Sequence, residues 1–158
     1  MNNDLEYELL YEMFAGLDAP IDVGAGPEGH RMIVPVNGGH FKGPRMSGTV
    51  LPNSGGDWLR IRPDGSAVLD VRGALRTDDG ATIYAHYKGR GRFQSPEQMA
   101  QILDYGTDSP IDGSEYYLRI APEYETGSEA YAWLNSMVAI GVGQLGHGGI
   151  TYRVYAIK

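Results

Sequence analysis

The chain has 158 residues, with 13 Lys and Arg against 20 Asp and Glu, a formal net charge of −7. That length fits one domain with its own core, and the acidic balance excludes the basic footprint of a nucleic-acid module, since "HYKGRGR" (86–92) is short and broken by Gly. There is no Cys, which removes disulfides, thiolate metal sites and cysteine nucleophiles.

The first stretch, "MNNDLEYELLYEMF", lacks the basic start and unbroken apolar run of a signal peptide. No apolar run approaches the roughly 20 residues that span a bilayer, so a cytoplasmic location is expected. Residues 5–17 alternate Leu5, Tyr7, Leu9, Tyr11 and Met13 against Glu6, Glu8 and Glu12, a period of two that predicts a strand. Residues 20–30 are a Pro/Gly loop. A strand through "RMIVPVNGGHFKG" follows, with Pro35 marking an edge or a bulge and "NGG" a turn or kink. "HFKGPRMSGTVL" leads into another strand, "NSGGD" reads as a turn, and "WLRIR" as a short strand. The turn "PDG" (63–65) has a mechanism, because Pro fixes φ and Gly accepts positive φ. Residues 68–77 and "ATIYAHYKG" then form a hairpin across "DDG" (78–80).

One helix is expected, around residues 95–105. Ser95 is its N-cap, Pro96 its first residue and Gln98 the third, the capping-box spacing. Met99, Ile102 and Leu103 make its apolar stripe and Gly106 its stop. "SEYYLRIAPEYET", "AYAWLNSMVAIGVGQL" and "ITYRVYAI" supply the last strands, with "GHGG" turning the final hairpin. About eight to ten short strands with regular turn signals predict an all-β domain over 1–158, a sandwich or a closed antiparallel barrel, with closure removing exposed edges.

In "VLDVRG" (68–73) Asp70 and Arg72 are two residues apart, so both point to one face of a strand, opposite Leu69 and Val71. In the same way Tyr117 and Arg119 oppose Tyr116, Leu118 and Ile120. Over 133–142, Trp133, Asn135 and Met137 oppose Leu134, Val138, Ile140 and Val142. An antiparallel sheet ordinarily turns such a polar face to water. Here the faces carry Tyr, Trp, Asn and Met rather than Lys and Thr, closer to the composition of a pocket. An eight-stranded barrel leaves room inside for one small ligand. Asp70, Arg72, Arg119 and Glu125 are therefore the candidate catalytic groups. Tyr84, Tyr117, Trp133, Asn135, Trp58 and His40 are the candidate substrate contacts. Arg would hold a carboxylate through its fork, and a carboxylate of raised pKa would move a proton. The four His, at 30, 40, 86 and 147, have no ligand spacing, so no metal or other cofactor is expected. "GVGQLGHGG" lacks the Lys-Ser/Thr of a phosphate loop.

The segments "GHRMIVPVNGGHFKGPRMSGTVLPNSGGDW", "RPDGSAVLDVRGALRTDDGATIYAHYKG" and "YAWLNSMVAIGVG" resemble, in order over nearly the whole chain, the landmarks of the bacterial domain-of-unknown-function family 3237. Gly73 stands where that pattern commonly has an aromatic residue. The resemblance implies a single-domain barrel similar to allene oxide cyclase and dirigent barrels, with an internal pocket. Barrels of that type steer or isomerise hydrophobic small molecules without cofactors. Three functions remain open at this point. One is a cofactor-independent lyase or isomerase acting on a small aromatic or polyketide-like acid; another is a non-catalytic carrier or sensor with the same pocket; the third is an interaction module whose Asp70 and Arg72 face water. A homodimer is compatible with open strand edges.

Overall fold

The computed structural model describes residues 4–104 and 112–158. In chain order the strands are β1 (Tyr7–Leu17), β2 (Ile21–Gly26), β3 (Gly29–Lys42), β4 (Ser47–Val50), β5 (Gly56–Asp57), β6 (Arg60–Ile61), β7 (Ala67–Thr77) and β8 (Thr82–Arg92). After α1 (Pro96–Leu103) come β9 (Tyr117–Glu125), β10 (Val138–Gly146) and β11 (Gly149–Ile157). Short 3-10 segments lie at Gly113–Glu115 and Glu129–Ser136.

All pairings are antiparallel. The hydrogen-bonded order runs β1-β11-β10-β9-β8-β7-β4-β3, and β1 pairs with β3 to close the ring. The two-residue strands β5 and β6 continue the place of β4 between β3 and β7. The wall is thus an eight-stranded closed barrel, the size whose interior side chains nearly fill. β2 lies outside the ring as a hairpin on β3.

The alternation of residue types decides which way each strand faces. On β7, Ala67, Leu69, Val71, Leu75 and Thr77 are buried, and on β8 Ile83, Ala85, Gly89 and Gly91. On β9 the buried set includes Leu118, Ile120 and Tyr124. Tyr11, Tyr152, Phe41, Ile83, Leu134 and Val154 are the largest wholly buried side chains. "NGG" (37–39) does not end a strand. It kinks β3 in mid-course, where Asn37 is an extra residue between the pairs Gly16–Gly38 and Leu17–Val36, and Gly39 sits at φ 147° with Phe14 and Ala15 backbone against it. "GHGG" is the turn of the β10–β11 hairpin, with His147 (φ 56°) and Gly148 (φ 80°) both left-handed, as a tight hairpin requires.

Several expectations are corrected. Residues 20–30 are not a loop but carry β2 and the start of β3, a hairpin held by backbone pairing rather than by an apolar face, and the end of "NSGGD" is β5 rather than part of a turn. Residues 129–136 form a 3-10 segment rather than the start of a strand, and Leu134 from it is buried in the core. β10 then faces opposite to the expected way: Ala139, Gly141 and Gly143 point inward and Val138, Ile140 and Val142 outward. The inner side has room only for small residues. A Cβ on Gly143 would lie 2.6 Å from the Tyr152 ring and 2.8 Å from Leu118, and one on Gly141 2.6 Å from Ile120.

Ser95 caps the helix as expected. Ser95 Oγ accepts from the Gln98 N–H (3.0 Å), while Gln98 Oε1 accepts from the N–H of Gln94 (2.8 Å), one residue before the cap, rather than from that of Ser95 as a capping box requires. Its expected stop, Gly106, lies outside the described residues. No helix among the described residues is long and apolar enough to cross a membrane.

Candidate functional site

The inward faces leave a cavity in the half of the barrel over which α1 lies. Its volume is about 60 Å³, several times the roughly 10–15 Å³ that one water needs. Most of its wall is aliphatic: Val34, Leu59, Leu69 and Val71 from one side, Leu118 and Ile150 from the other, and Leu103 of α1. Three polar side chains face it, Asp57, Tyr87 and Tyr152, and among the described residues no Lys or Arg does.

Asp57 is placed by β5, pressed between β3 and β7 with Val34 and Val71 as register partners. The preceding glycines permit that approach, since a Cβ on Gly56 would lie 2.6 Å from the Val34 carbonyl oxygen and one on Gly55 2.0 Å from that of Arg72. Alternation then turns Asp57 inward, Trp58 outward and Leu59 into the core. The Asp57 Oδ1 atom accepts from the Asp70 backbone N–H at 2.9 Å. Burial raises the Asp57 pKa to about 7. The Asp70 hydrogen bond and the charge of Arg31 oppose that rise, and the Asp70 charge adds to it.

Tyr87 sits opposite Val71 on the neighbouring strand, and its ring meets Tyr152 edge to face at 5.8 Å. Burial pushes both phenols far above the ordinary value, and the Asp57 charge pushes in the same direction, so both remain O–H donors. Deeper in the barrel Tyr11 and Tyr124 share a buried hydrogen bond of 2.6 Å, with Tyr11 raised to about 12 by burial. The interior can therefore offer one carboxyl poised near neutrality, beside neutral phenol donors, in an apolar shell. A carboxyl with a pKa near 7 is matched to general acid–base chemistry at neutral pH.

The ten residues singled out from sequence do not line this cavity. Asp70 and Arg72 share a face as expected, but it is the outer one. Asp70 contacts Lys88 Nζ at 2.7 Å and Arg72 at 3.5 Å, and the Lys88 hydrogen bond, then Arg72, holds its pKa below the usual carboxylate range. Leu69, Val71 and Leu75 fill the interior, which forces the intervening polar side chains outward. Arg72 lies over the exposed Trp58 ring. Tyr117 is flanked by Arg119 at 4.7 Å and Arg92 at 5.5 Å. Tyr84 rests against His86 on the outside, and Glu125 is exposed opposite Tyr84. His40 stacks loosely on Phe14. Trp133 packs under Arg45 at 3.7 Å. Asn135 is structural: it accepts from Thr126 N–H (2.8 Å) and donates to the Thr126 carbonyl (3.0 Å), tying the 129–136 segment to the end of β9. Asp57, Tyr87 and Tyr152 were missed. The parity of "ATIYAHYKG" carried a signal, because Tyr87 shares the face of Ile83 and Ala85 while Tyr84 does not. No cluster of three metal-ligating side chains occurs among the described residues.

The family described as "Protein of unknown function (DUF3237)" matches residues 5–157. A "UPF0311 protein" of Rhodopseudomonas palustris (strain TIE-1) is 36% identical over 141 residues, 89% of each chain. Among solved structures, a β-barrel-like protein from Acinetobacter baumannii AYE superposes with a TM-score of 0.83 at 35% identity, covering 100% of this chain and 99% of that one. A chain described as an enzyme from Penicillium herquei shares the fold, with a TM-score of 0.72 at 19% identity over 100% and 98% of the two chains.

Proposed function

Since the chain belongs to the DUF3237 family, whose description assigns no reaction, we propose a function from the cavity itself. The protein is a small-molecule-binding barrel acting as a cofactor-independent lyase or isomerase, with Asp57 as the proton-transfer group. The observation that carries this reading is that, among the described residues, Asp57 is the one carboxyl facing an apolar cavity, beside two neutral tyrosines. Asp57 in its ionised form takes a proton from an acidic C–H or O–H of the ligand. Tyr87 donates a hydrogen bond to the oxygen on which negative charge develops, and Tyr152 orients Tyr87. The protonated Asp57 returns the proton at a second position in an isomerisation or cyclisation, or to the leaving group in an elimination. The proton count closes without a cofactor.

The cavity also revises the ligand. With no cation facing it among the described residues, a carboxylate would lose its hydration and meet the Asp57 charge, and a cavity of about 60 Å³ is well under the roughly 150 Å³ that takes up benzene, so the substrate class becomes a small neutral enolisable molecule rather than an aromatic acid. The shared fold of a protein described as an enzyme agrees with catalysis on this scaffold. The aliphatic wall equally suits a carrier, the second reading.

Deuterium exchange separates the two. Small enolisable ketones in D2O, followed by proton NMR, should gain deuterium at the α-carbon at least about 100-fold faster with wild type than with Asp57→Asn. A ligand that raises the melting temperature of wild type yet shows no exchange would make the protein a carrier and overturn the catalytic reading.

A further inference from the structure

One aromatic side chain stands between the cavity and the surface. Phe93 is the first residue after β8, beyond that strand's last ladder pairs, Ala67–Gly91 on one side and Arg92–Tyr117 on the other. Its ring folds back into the end of the barrel over Gly91, which leaves the space: a Cβ there would lie 3.2 Å from Phe93 Cζ. The ring also packs against that of Tyr116, with centroids 6.0 Å apart. Tyr116 is itself held in place, its hydroxyl accepting from the Leu145 N–H at 2.8 Å.

Two depressions of the outer surface meet the same ring. One, of about 500 Å³, is lined by Arg92, Gln94, Tyr117 and Arg119; the other, of about 370 Å³, by Pro63, Ser66, Ser95 and Met99. Phe93 lines both depressions and the cavity, and among the described residues it is the one side chain the cavity shares with either. The cavity alone holds about 60 Å³. The position of this ring therefore decides what can enter and how large it can be.

We propose that Phe93 gates the cavity and sets the size of the ligand it takes, a proposal that rests on the reading of the cavity as the ligand site. Rotation about the Phe93 Cα–Cβ bond into another staggered well swings the ring toward a depression and joins it to the interior. A ligand enters past the open ring. Reclosing requires that the whole molecule fit inside, so the ring discriminates against anything too long to be enclosed. Small neutral ketones pass this test, and a ketone carrying an aryl tail does not.

The chain has no Cys, so Val71→Cys places a single thiol in the cavity wall. Its reaction with methyl methanethiosulfonate in the full chain reads entry. Adding Phe93→Ala should speed that reaction at least about tenfold, with no dependence on urea below the unfolding transition. Adding Leu69→Ala instead, which widens the cavity without joining it to a depression, should not. Benzylacetone should slow the labelling in the Phe93→Ala protein and leave it unchanged wherever Phe93 is present. Should the alanine variant fail to fold, Phe93→Leu should move the rate in the same direction. A labelling rate that ignores the loss of the ring, or that climbs with urea as global unfolding does, would overturn the gate. Protection by benzylacetone with Phe93 in place would overturn the size limit. Labelling needs no chemistry at Asp57, so a protein that labels as expected but exchanges no deuterium into ketones would lose the catalytic reading and keep the gate.

Discussion

Asp57 keeps its proton through a pH range in which an exposed aspartate is ionised, and this has a cost in stability. Its folded pKa of about 7 lies above the ordinary aspartate value of 3.8, so between roughly pH 4 and 7 the folded chain binds a proton that the unfolded chain has lost. Stability from this group is full below pH 4 and declines as pH rises toward 7, by an amount on the order of a few kcal/mol. Asp57→Asn should therefore raise the melting temperature at pH 8 and flatten its fall between pH 4 and 7, while abolishing exchange activity. An unchanged pH dependence in thermal melts would contradict this. Tyr87→Phe removes the donor and leaves the packing, so turnover should fall about 10–100-fold with a stability change of about 1 kcal/mol. Arg72→Ala sits on the outer face and should alter stability by less than about 1 kcal/mol with ligand binding unchanged. At this scale the sequence was read with the wrong parity. Asp70 and Arg72 do share a face, as alternation requires, but the apolar residues between them claim the interior. Asp57 was invisible because "NSGGD" looks like a turn. Only contact with β3 and β7 makes its last two residues a strand, and that contact is a property of the closed barrel.

Among the elements, β7, β8, β9 and β11 were legible because each alternates apolar with polar residues and is bounded by Gly, Pro or Asp turns. α1 was legible from its cap alone. Replacing Ser95 with Ala should cost about 1 kcal/mol by chemical denaturation, the usual worth of an N-cap oxygen. β10 was misread for a physical reason. Its sequence shows Val, Ile and Val as the obvious core face, yet the space inside is already taken by Tyr152, Leu118 and Ile120, so the glycines go inward. Gly143→Val should overpack that space and destabilise by about 1–3 kcal/mol or more. Val142→Thr, on the outer face, should change stability by under about 0.5 kcal/mol. Equal effects at the two positions would show that the facing of β10 is wrong.

For the whole molecule, the closed barrel was readable from strand count and turn spacing, whereas the location of its chemistry was not. Closure puts half of every strand's side chains inside, and burial there sets the pKa values. The result is two aspartates back to back across one wall, joined by the Asp70 N–H to Asp57 hydrogen bond. Asp70, outside, is held ionised by Lys88 and Arg72, while Asp57, inside, is pushed toward neutrality. Environments that drive paired carboxyls apart are how one scaffold assigns structural and proton-transfer roles to the same residue type. The measurement that tests this most directly is a carbon-13 NMR titration of the side-chain carboxyl groups, with Asp57→Asn used to assign the Asp57 signal. The account predicts that the Asp57 carboxyl titrates near pH 7 and that Asp70 titrates below its ordinary value. An Asp57 midpoint near 4 would mean that the carboxyl is solvated rather than held in the cavity, and the proposed chemistry would lose its base.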